Sequence, residues 1–220
     1  MTLELKKRIV TSAFLLVLLC LMYFYTFVLI ISVIIFSIIS WIEFNGLIFK
    51  IFKKNKNKDK LLRFCYKTIS LMYFSLLIYL VLLIKSQKPD FEIFIIFSIL
   101  ISIMSDVGGL VVGKTFKGKK LTKISPNKTV SGSIGSFIFS LSLIPIFLEY
   151  LTNYDLLTLS IITLIISLTS QLGDLLISFL KRKAKVKNTS DLLPGHGGIL
   201  DRIDGIIFAL PIGFLILFSF

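Results

Sequence analysis

The sequence predicts an all-α, polytopic integral membrane protein of about seven transmembrane helices, with its N-terminus cytoplasmic and its C-terminus outside. Three observations predict it. Of 220 residues, 55% are hydrophobic and only 17% charged, with a mean hydropathy of +0.92, a composition seldom met in soluble domains of this length. Charged residues fall into short clusters, and the apolar stretches between them are each long enough to cross a hydrocarbon core of ~30 Å. The basic clusters fall in alternate loops between the spans, and so on one side of the membrane. Disorder, a coiled coil and a disulfide scaffold are excluded. Cys20 and Cys65 lie in an apolar run and beside a lysine-rich stretch, so neither a bridge nor a catalytic role is expected of them.

No charge occurs between Arg8 and Glu43, and the stretch from Ile9 to Ile42 is too long for one span. It fits two helices joined by a tight turn near Tyr25 and Thr26. Lys6, Lys7 and Arg8 before an apolar run could open a signal peptide, but no small-residue cleavage site follows, so the first span is expected to remain in the mature protein. Further spans are read from about Ile69 to Ile84, Ile93 to Val112, Ile134 to Leu148, Leu156 to Leu180 and Ile203 to Phe220.

The Lys and Arg residues test this reading. Lys6 to Arg8, the cluster from Lys50 to Lys67, the cluster from Lys114 to Lys128 and the cluster from Lys181 to Lys187 all fall on one side. The opposite loops hold Lys85 and Lys88, or the acids Glu149 and Asp155. A net charge of +13, which would suggest nucleic acid in a soluble protein, is therefore a topology signal and a source of anionic-lipid or nucleotide contacts; no nucleic acid partner is expected. The chain reads as a single transmembrane domain, 1–220. Its residues 1–100 form hairpins without specific motifs, and residues 101–220 carry the chemistry. The run from Lys50 to Lys67 has neither glycine turns nor convergent acids and is expected to be a solvated loop facing lipid headgroups.

Chemistry is expected where carboxylates meet the membrane. Asp106, Asp174, Asp201 and Asp204 lie within or at the edge of apolar spans, where a lipid-facing charge costs ~2.5 to 3.5 kcal/mol. All four fall near the same membrane face and could converge. Their three-residue separation puts Asp201 and Asp204 on one face of a helix beginning there, with Arg202 pointing elsewhere. Simple pairing with Lys181, Arg182 or Arg202 would explain any one of them, but not four beside glycine-rich loops. In Pro194 to Asp204 three glycines let backbone N–H groups approach phosphate, lysines nearby neutralise it, and carboxylate oxygens suit Mg²⁺. His196 is the single histidine, and flanked by Gly195 and Gly197 it is expected to make a functional contact. One histidine and two distant cysteines exclude a zinc site, and neither a P-loop nor a dinucleotide fingerprint is present.

These residues carry a resemblance. Ser178 to Asp204, SFLKRKAKVKNTSDLLPGHGGILDRID, resembles the signature segment of the phosphatidate cytidylyltransferases, or CDP-diacylglycerol synthases. Ser178, Lys181-Arg182, Lys187, Leu193-Pro194, His196-Gly197-Gly198 and Asp201-Arg202-x-Asp204 all fall in register. Upstream, Gln171-x-Gly173-Asp174-Leu175 is similar to the family's metal-binding stretch. Asp106-x-Gly108, Gly113-Lys114, Lys120-Leu121, Ser125-Pro126-Asn127-Lys128-Thr129 and Gly132 resemble an earlier block. The resemblance runs from about Asp106 to the C-terminus. Before it only Trp41 and Glu43 stand where members often carry a similar pair, and the chain is shorter at its N-terminal end than typical members. Asn188 stands where the pattern has Asp, Ile177 where it has Glu, Ser131 where it has Glu or Gln, and Val130 where it often has Trp.

The resemblance implies condensation of CTP with phosphatidic acid, giving CDP-diacylglycerol and pyrophosphate. It implies Mg²⁺, alone or with a second cation, on Asp174 and Asp201, with Asp204 as a further ligand. Lys181, Arg182, Arg202 and Lys128 would clamp phosphates, and Ser125, Asn127, Lys114, Ser178, Lys187, His196, Gly197 and Gly198 would line the substrate. Membrane lipids, a plasma-membrane location, a cytoplasmic active site and the option of a homodimer complete the expectation. Three other readings stand beside it: a CTP-dependent polyprenol or lipid-alcohol kinase, an inactive relative kept as a scaffold, and an ion transporter. The acids do not trace a route across the membrane, which speaks against the last.

Overall fold

The structure is a computed structural model, and it describes residues 3–53, 56–87, 92–122, 125 and 128–219. Among these residues there are nine helices, α1 (Leu3–Phe24), α2 (Thr26–Ile51), α3 (Asn57–Gln87), α4 (Glu92–Phe116), α5 (Val130–Leu141), α6 (Ile144–Phe147), α7 (Leu156–Lys183), α8 (Leu200–Ile203) and α9 (Ile206–Ser219). No strand occurs among them, only isolated bridges between Lys120 and Thr129 and between Leu193 and Gly197. Five segments are long and apolar enough to cross a membrane: α2, the first 27 residues of α3, α4, α5 continued through α6, and α7. Shorter apolar stretches, Ile9–Met22 and Ile206–Leu217, lie in α1 and α9. Most of each apolar segment read from the sequence is helical, with breaks at Ser142-Leu143 and Asp204-Gly205; Phe220 lies outside the described residues.

The expected break near Tyr25 is there. Tyr25 takes an extended conformation, φ −120° and ψ 104°, between α1 and α2. The expected solvated loop from Lys50 to Lys67 is mostly helix instead, because α3 starts at Asn57. Two of its basic side chains lie over aromatic rings, the Arg63 guanidinium 5.0 Å from the Phe49 ring centre and the Lys67 ammonium 5.7 Å from that of Trp41, while Lys53, Lys56, Lys58 and Lys60 are exposed. Cation–π contact lets these long stems cover apolar surface while their charges stay near water.

The chain gathers into two compact units, one of Met1–Gln87 with Leu180–Ile203, the other of Lys88–Phe179 with Asp204–Phe220. In the second unit the buried polar groups and the exposed apolar groups are reversed from a soluble protein. Ser98, Ser102, Ser105, Ser136, Ser140, Ser167 and Ser170 are buried, while Leu110, Ile134, Ile138, Leu168 and Leu172 are exposed. Lipid tails are as apolar as leucine, so helices associate through small residues and short hydrogen bonds. Ser102 and Ser170 hydroxyls meet at 2.7 Å, Ser167 donates to Ser105 at 3.0 Å, and Ser136 donates to the Ser105 carbonyl at 2.6 Å. A Cβ on Gly135 would lie 2.4 Å from Val112, so α4 and α5 touch only because that residue has no side chain. An apolar cluster of Phe97, Ile101, Phe147, Leu159 and Ile166 fills the rest of this unit's core.

Candidate active site

The signature segment begins within the last turns of α7, at Ser178, and leaves the helix after Lys183. Lys185 takes a left-handed conformation, φ 58°, the Lys185 N–H bonds the Arg182 carbonyl at 3.1 Å, and the Val186 N–H reaches back to Lys181 at 3.0 Å. This paired closure satisfies the last helical carbonyls and turns the chain away from the helix axis. Pro194 and Gly195 then make a tight turn, with Gly195 at φ 76° and the His196 N–H bonded to the Leu193 carbonyl at 2.9 Å. Proline presets the second position of such a turn and glycine supplies the positive φ of the third. The segment returns into α8, which carries Asp201.

Asp201 is the centre of this first unit's polar cluster. Its side chain is only 5% exposed, and Lys181 Nζ donates to Oδ1 at 2.6 Å. Oδ2 accepts from the Thr189 N–H at 2.8 Å and the Gly198 N–H at 3.0 Å, and lies 2.9 Å from the Thr189 hydroxyl, whose single proton is shared with Glu43. Burial by itself would raise this carboxyl, but Lys181 and the two N–H groups outweigh it and hold it below the ordinary carboxylate range. Asp201 is therefore a charged acceptor set in a fixed plane. His196 reaches Ser12 of α1 through Nε2 at 3.3 Å, while the Thr11 hydroxyl donates to the Pro194 carbonyl at 3.0 Å. Arg202 turns outward and donates through Nε and Nη2 to the His196 carbonyl, at 3.0 and 2.7 Å.

Glu43, which the resemblance marks only as part of a pair with Trp41 and which carries no expected site role, has a buried carboxylate that accepts three hydrogen bonds from the signature segment and shares the Thr189 hydroxyl proton with Asp201. Ser190 Oγ and the Ile199 N–H bond Oε1 at 2.5 and 3.1 Å; Thr189 Oγ1 and the Leu200 N–H bond Oε2 at 2.8 and 2.9 Å. The signal that points to it is a lone carboxylate inside a 26-residue apolar helix.

In the second unit, Asp174 on α7 pairs with Lys128 and accepts from Ser178 Oγ at 3.3 Å. Both members of that pair are about a quarter exposed, so water or a phosphate oxygen can reach them. Lys128 is presented by a loop that the Leu121 N–H ties to the Lys128 carbonyl at 2.8 Å, just ahead of the Thr129 cap on α5. Ser125 accepts from the Lys128 N–H within it, and Asn127 lies outside the described residues. The main chain at Asp204 abuts Gly173, where a Cβ would lie 2.7 Å from the Asp204 carbonyl, so the stretches carrying Asp174 and Asp204 meet. Asp204 is buried, and its Oδ1 accepts from the Gly205 N–H at 3.0 Å.

The single helix expected from Asp201 through Asp204 is two, since α8 ends at Ile203 and α9 starts at Ile206; the intervening Asp204-Gly205 turn takes Asp204 off the helix that bears Asp201. Asp106, Lys114, Arg182 and Lys187 are exposed. Among the described residues, no three His, Cys, Asp or Glu side chains stand together as a metal site.

Apolar helices long enough to cross a membrane, an aspartate–lysine pair in each compact unit and a glycine-turned loop in the first define the class as a helical, membrane-type protein. The profile of the Cytidylyltransferase family matches residues 2–220, and the chain belongs to that family. A phosphatidate cytidylyltransferase of Staphylococcus haemolyticus is 37% identical over 155 residues, 69% of this chain and 55% of that protein. Those of Rickettsia bellii and Rickettsia prowazekii are 44% identical over 121 residues and 38% over 146, covering 50% and 62% of this chain and 52% and 63% of theirs. The chain thus spans about half the length of most of the curated relatives it matches.

Proposed function

We propose that the chain transfers CMP from CTP to phosphatidic acid, releasing pyrophosphate and leaving CDP-diacylglycerol. The observation that carries this reading is the pair of lysine-bound aspartates, Lys181–Asp201 and Lys128–Asp174, each set in a stretch that also matches the family in sequence. The phosphomonoester oxygen of the lipid is already anionic near neutral pH, so attack on the α-phosphorus of CTP needs little help from a base. Charge neutralisation and in-line placement must supply most of the acceleration. Lys128, Lys181, Arg182 and Arg202 neutralise phosphate charge; Gly197 and Gly198, expected to line the nucleotide, are instead buried against Asp201, Asn188, Glu43 and Thr189 and shape the loop from within. The lipid tails stay in the bilayer.

Mg²⁺ belongs to this reading, with Asp174 and Asp201 each as ligand and Asp204 as a further one. The donors suit it. Mg²⁺ is commonly held by one or two carboxylates with phosphate oxygens and water completing its shell, so a three-acid cluster is not required, and Asp174 is open enough to exchange Lys128 for a cation. Bound there, it would neutralise negative charge on the triphosphate. Seven spans, a cytoplasmic N-terminus and active-site residues at the cytoplasmic face of the plasma membrane complete the proposal, supported by the lysine asymmetry.

The test is direct. Purified protein in mixed micelles is given labelled CTP, phosphatidic acid and Mg²⁺, and label is sought in the lipid fraction. CMP transfer is expected, with Asp174→Asn and Asp201→Asn each slower by a factor of ~10² or more. γ-Phosphoryl transfer to a lipid alcohol, or wild-type turnover in both variants at saturating Mg²⁺, would overturn the proposal.

A further inference from the structure

Glu43 sits 146 residues before Thr189 in the chain, yet every group that faces its carboxylate in the described contacts is a donor from the signature segment. A carboxylate buried in a helix long and apolar enough to cross a membrane carries a large desolvation cost, and three hydrogen bonds with a share of the Thr189 hydroxyl proton offset it. The fit is tight: a Cβ on Gly198 would lie 2.4 and 2.6 Å from the two Glu43 oxygens and 2.1 Å from Thr189 Oγ1. Thr189 then links two acids. Its hydroxyl is 2.8 Å from Glu43 Oε2 and 2.9 Å from Asp201 Oδ2, and its N–H bonds the same Asp201 oxygen. The second N–H on Asp201 Oδ2 comes from Gly198, next to the Ile199 and Leu200 amides held by Glu43.

From this relay we infer that Glu43 is a positioning residue for Asp201: it fixes the Thr189 and Gly198 donors that set the plane of the Asp201 carboxylate and the direction of its oxygens. The inference rests on Asp201 acting in the proposed cytidylyl transfer. A misplacement of about 1 Å in such a group costs up to ~10²-fold in rate without weakening substrate contacts made elsewhere. In Glu43→Gln one oxygen becomes an NH₂ that must face a backbone N–H, either Ile199 or Leu200, because neither amide can turn to accept. The segment would shift while its side chains remain.

CMP transfer is measured for wild type, Glu43→Gln, Thr189→Val, Ser190→Ala and the Glu43→Gln/Thr189→Val double variant, each over a range of CTP and Mg²⁺. Glu43→Gln is expected to lower kcat about 10- to 100-fold with KM for CTP within about twofold of wild type, and to raise the Mg²⁺ concentration for half activity. The double variant should be little worse than Thr189→Val, since both act through one relay. Ser190 touches Glu43 and not Asp201 in the described contacts, so Ser190→Ala should cost less than Thr189→Val. Wild-type kcat in Glu43→Gln, or losses that multiply in the double variant, would overturn the inference. If Glu43→Gln does not fold, equal losses in Thr189→Val and Ser190→Ala overturn it and a larger loss in Thr189→Val supports it. If wild type makes no CDP-lipid, the proposed function falls, and amide exchange judges the relay separately. Faster exchange at 189–201 in Glu43→Gln, with 57–83 unchanged, supports the relay, and unchanged exchange at 189–201 overturns it.

Discussion

One added methyl group at Gly198 should disable the signature segment. Gly198 has no positive φ requirement, so alanine there is not strained in its backbone; the conflict is with what surrounds it. An alanine Cβ would stand 2.1 Å from Thr189 Oγ1 and 2.4 Å from Glu43 Oε2, where ordinary contact begins at 3.4 Å. Relief requires a shift of roughly 1 Å, which the bond of the Thr189 hydroxyl, its one proton shared between Glu43 and Asp201 at 2.8 and 2.9 Å, does not survive. A bond to a charged group contributes about 1.5 to 3 kcal/mol, and overpacking costs about 1 to 3 kcal/mol more. Part of the strain is relaxed by side-chain movement, so the low end, about 2.5 kcal/mol, is the expected loss. At roughly 2 to 4 °C per kcal/mol for a chain of this length, the unfolding midpoint in detergent should fall by roughly 5 to 10 °C, with CMP transfer lost alongside. Gly46→Ala is the internal control: nothing lies within 4 Å of its would-be Cβ, and alanine is the better helix former. Gly198→Ala with a midpoint within about 2 °C of wild type and most of its activity would refute the reasoning.

Three further outcomes are expected. Cysteine labelling or reporter fusions near Lys56, Lys120 and Lys185 should report the cytoplasmic side and a fusion at Phe220 the other; a cytoplasmic Phe220 would remove one span from the proposed seven. Asn188 Cγ and Asp201 Oδ2 lie 3.2 and 2.8 Å from the place a Cβ on Gly197 would occupy, so Asn188→Asp sets a second carboxylate beside Asp201. Turnover should rise and the Mg²⁺ requirement fall, and a lower rate would show that the amide is the better residue in this chain. Asp201 has a folded-state value below its unfolded value of ~3.9, so its contribution to stability is complete above about pH 4 and is lost as pH falls through the folded value. The gap in unfolding midpoint between wild type and Asp201→Asn should therefore narrow only below about pH 4; a gap already closed at pH 6 would contradict the depressed value.

The apolar helices were legible in the sequence because each had to satisfy its own backbone hydrogen bonds and present apolar side chains to lipid, both of which are local demands. The break at Tyr25 followed from length alone, and Asp174 and Asp201 stood out by position as acids at the edges of apolar stretches. Tertiary structure decided the partners. Lysine flexibility gives no sequence rule for Lys181 reaching Asp201 or Lys128 reaching Asp174. The one helix expected through Asp201 and Asp204 became two, because the chain turns at Asp204-Gly205 where the backbone abuts Ser170 and Gly173. The lysine-rich run after α2 folded largely as helix, since two of its long side chains could lie on Phe49 and Trp41. Glu43 was visible as a lone acid in an apolar helix, but its four donors come from residues about 150 positions away. Composition and periodicity act over a few turns of helix and determined the spans, whereas hydrogen bonds between distant segments exist only once those spans have packed, and they set the plane of Asp201.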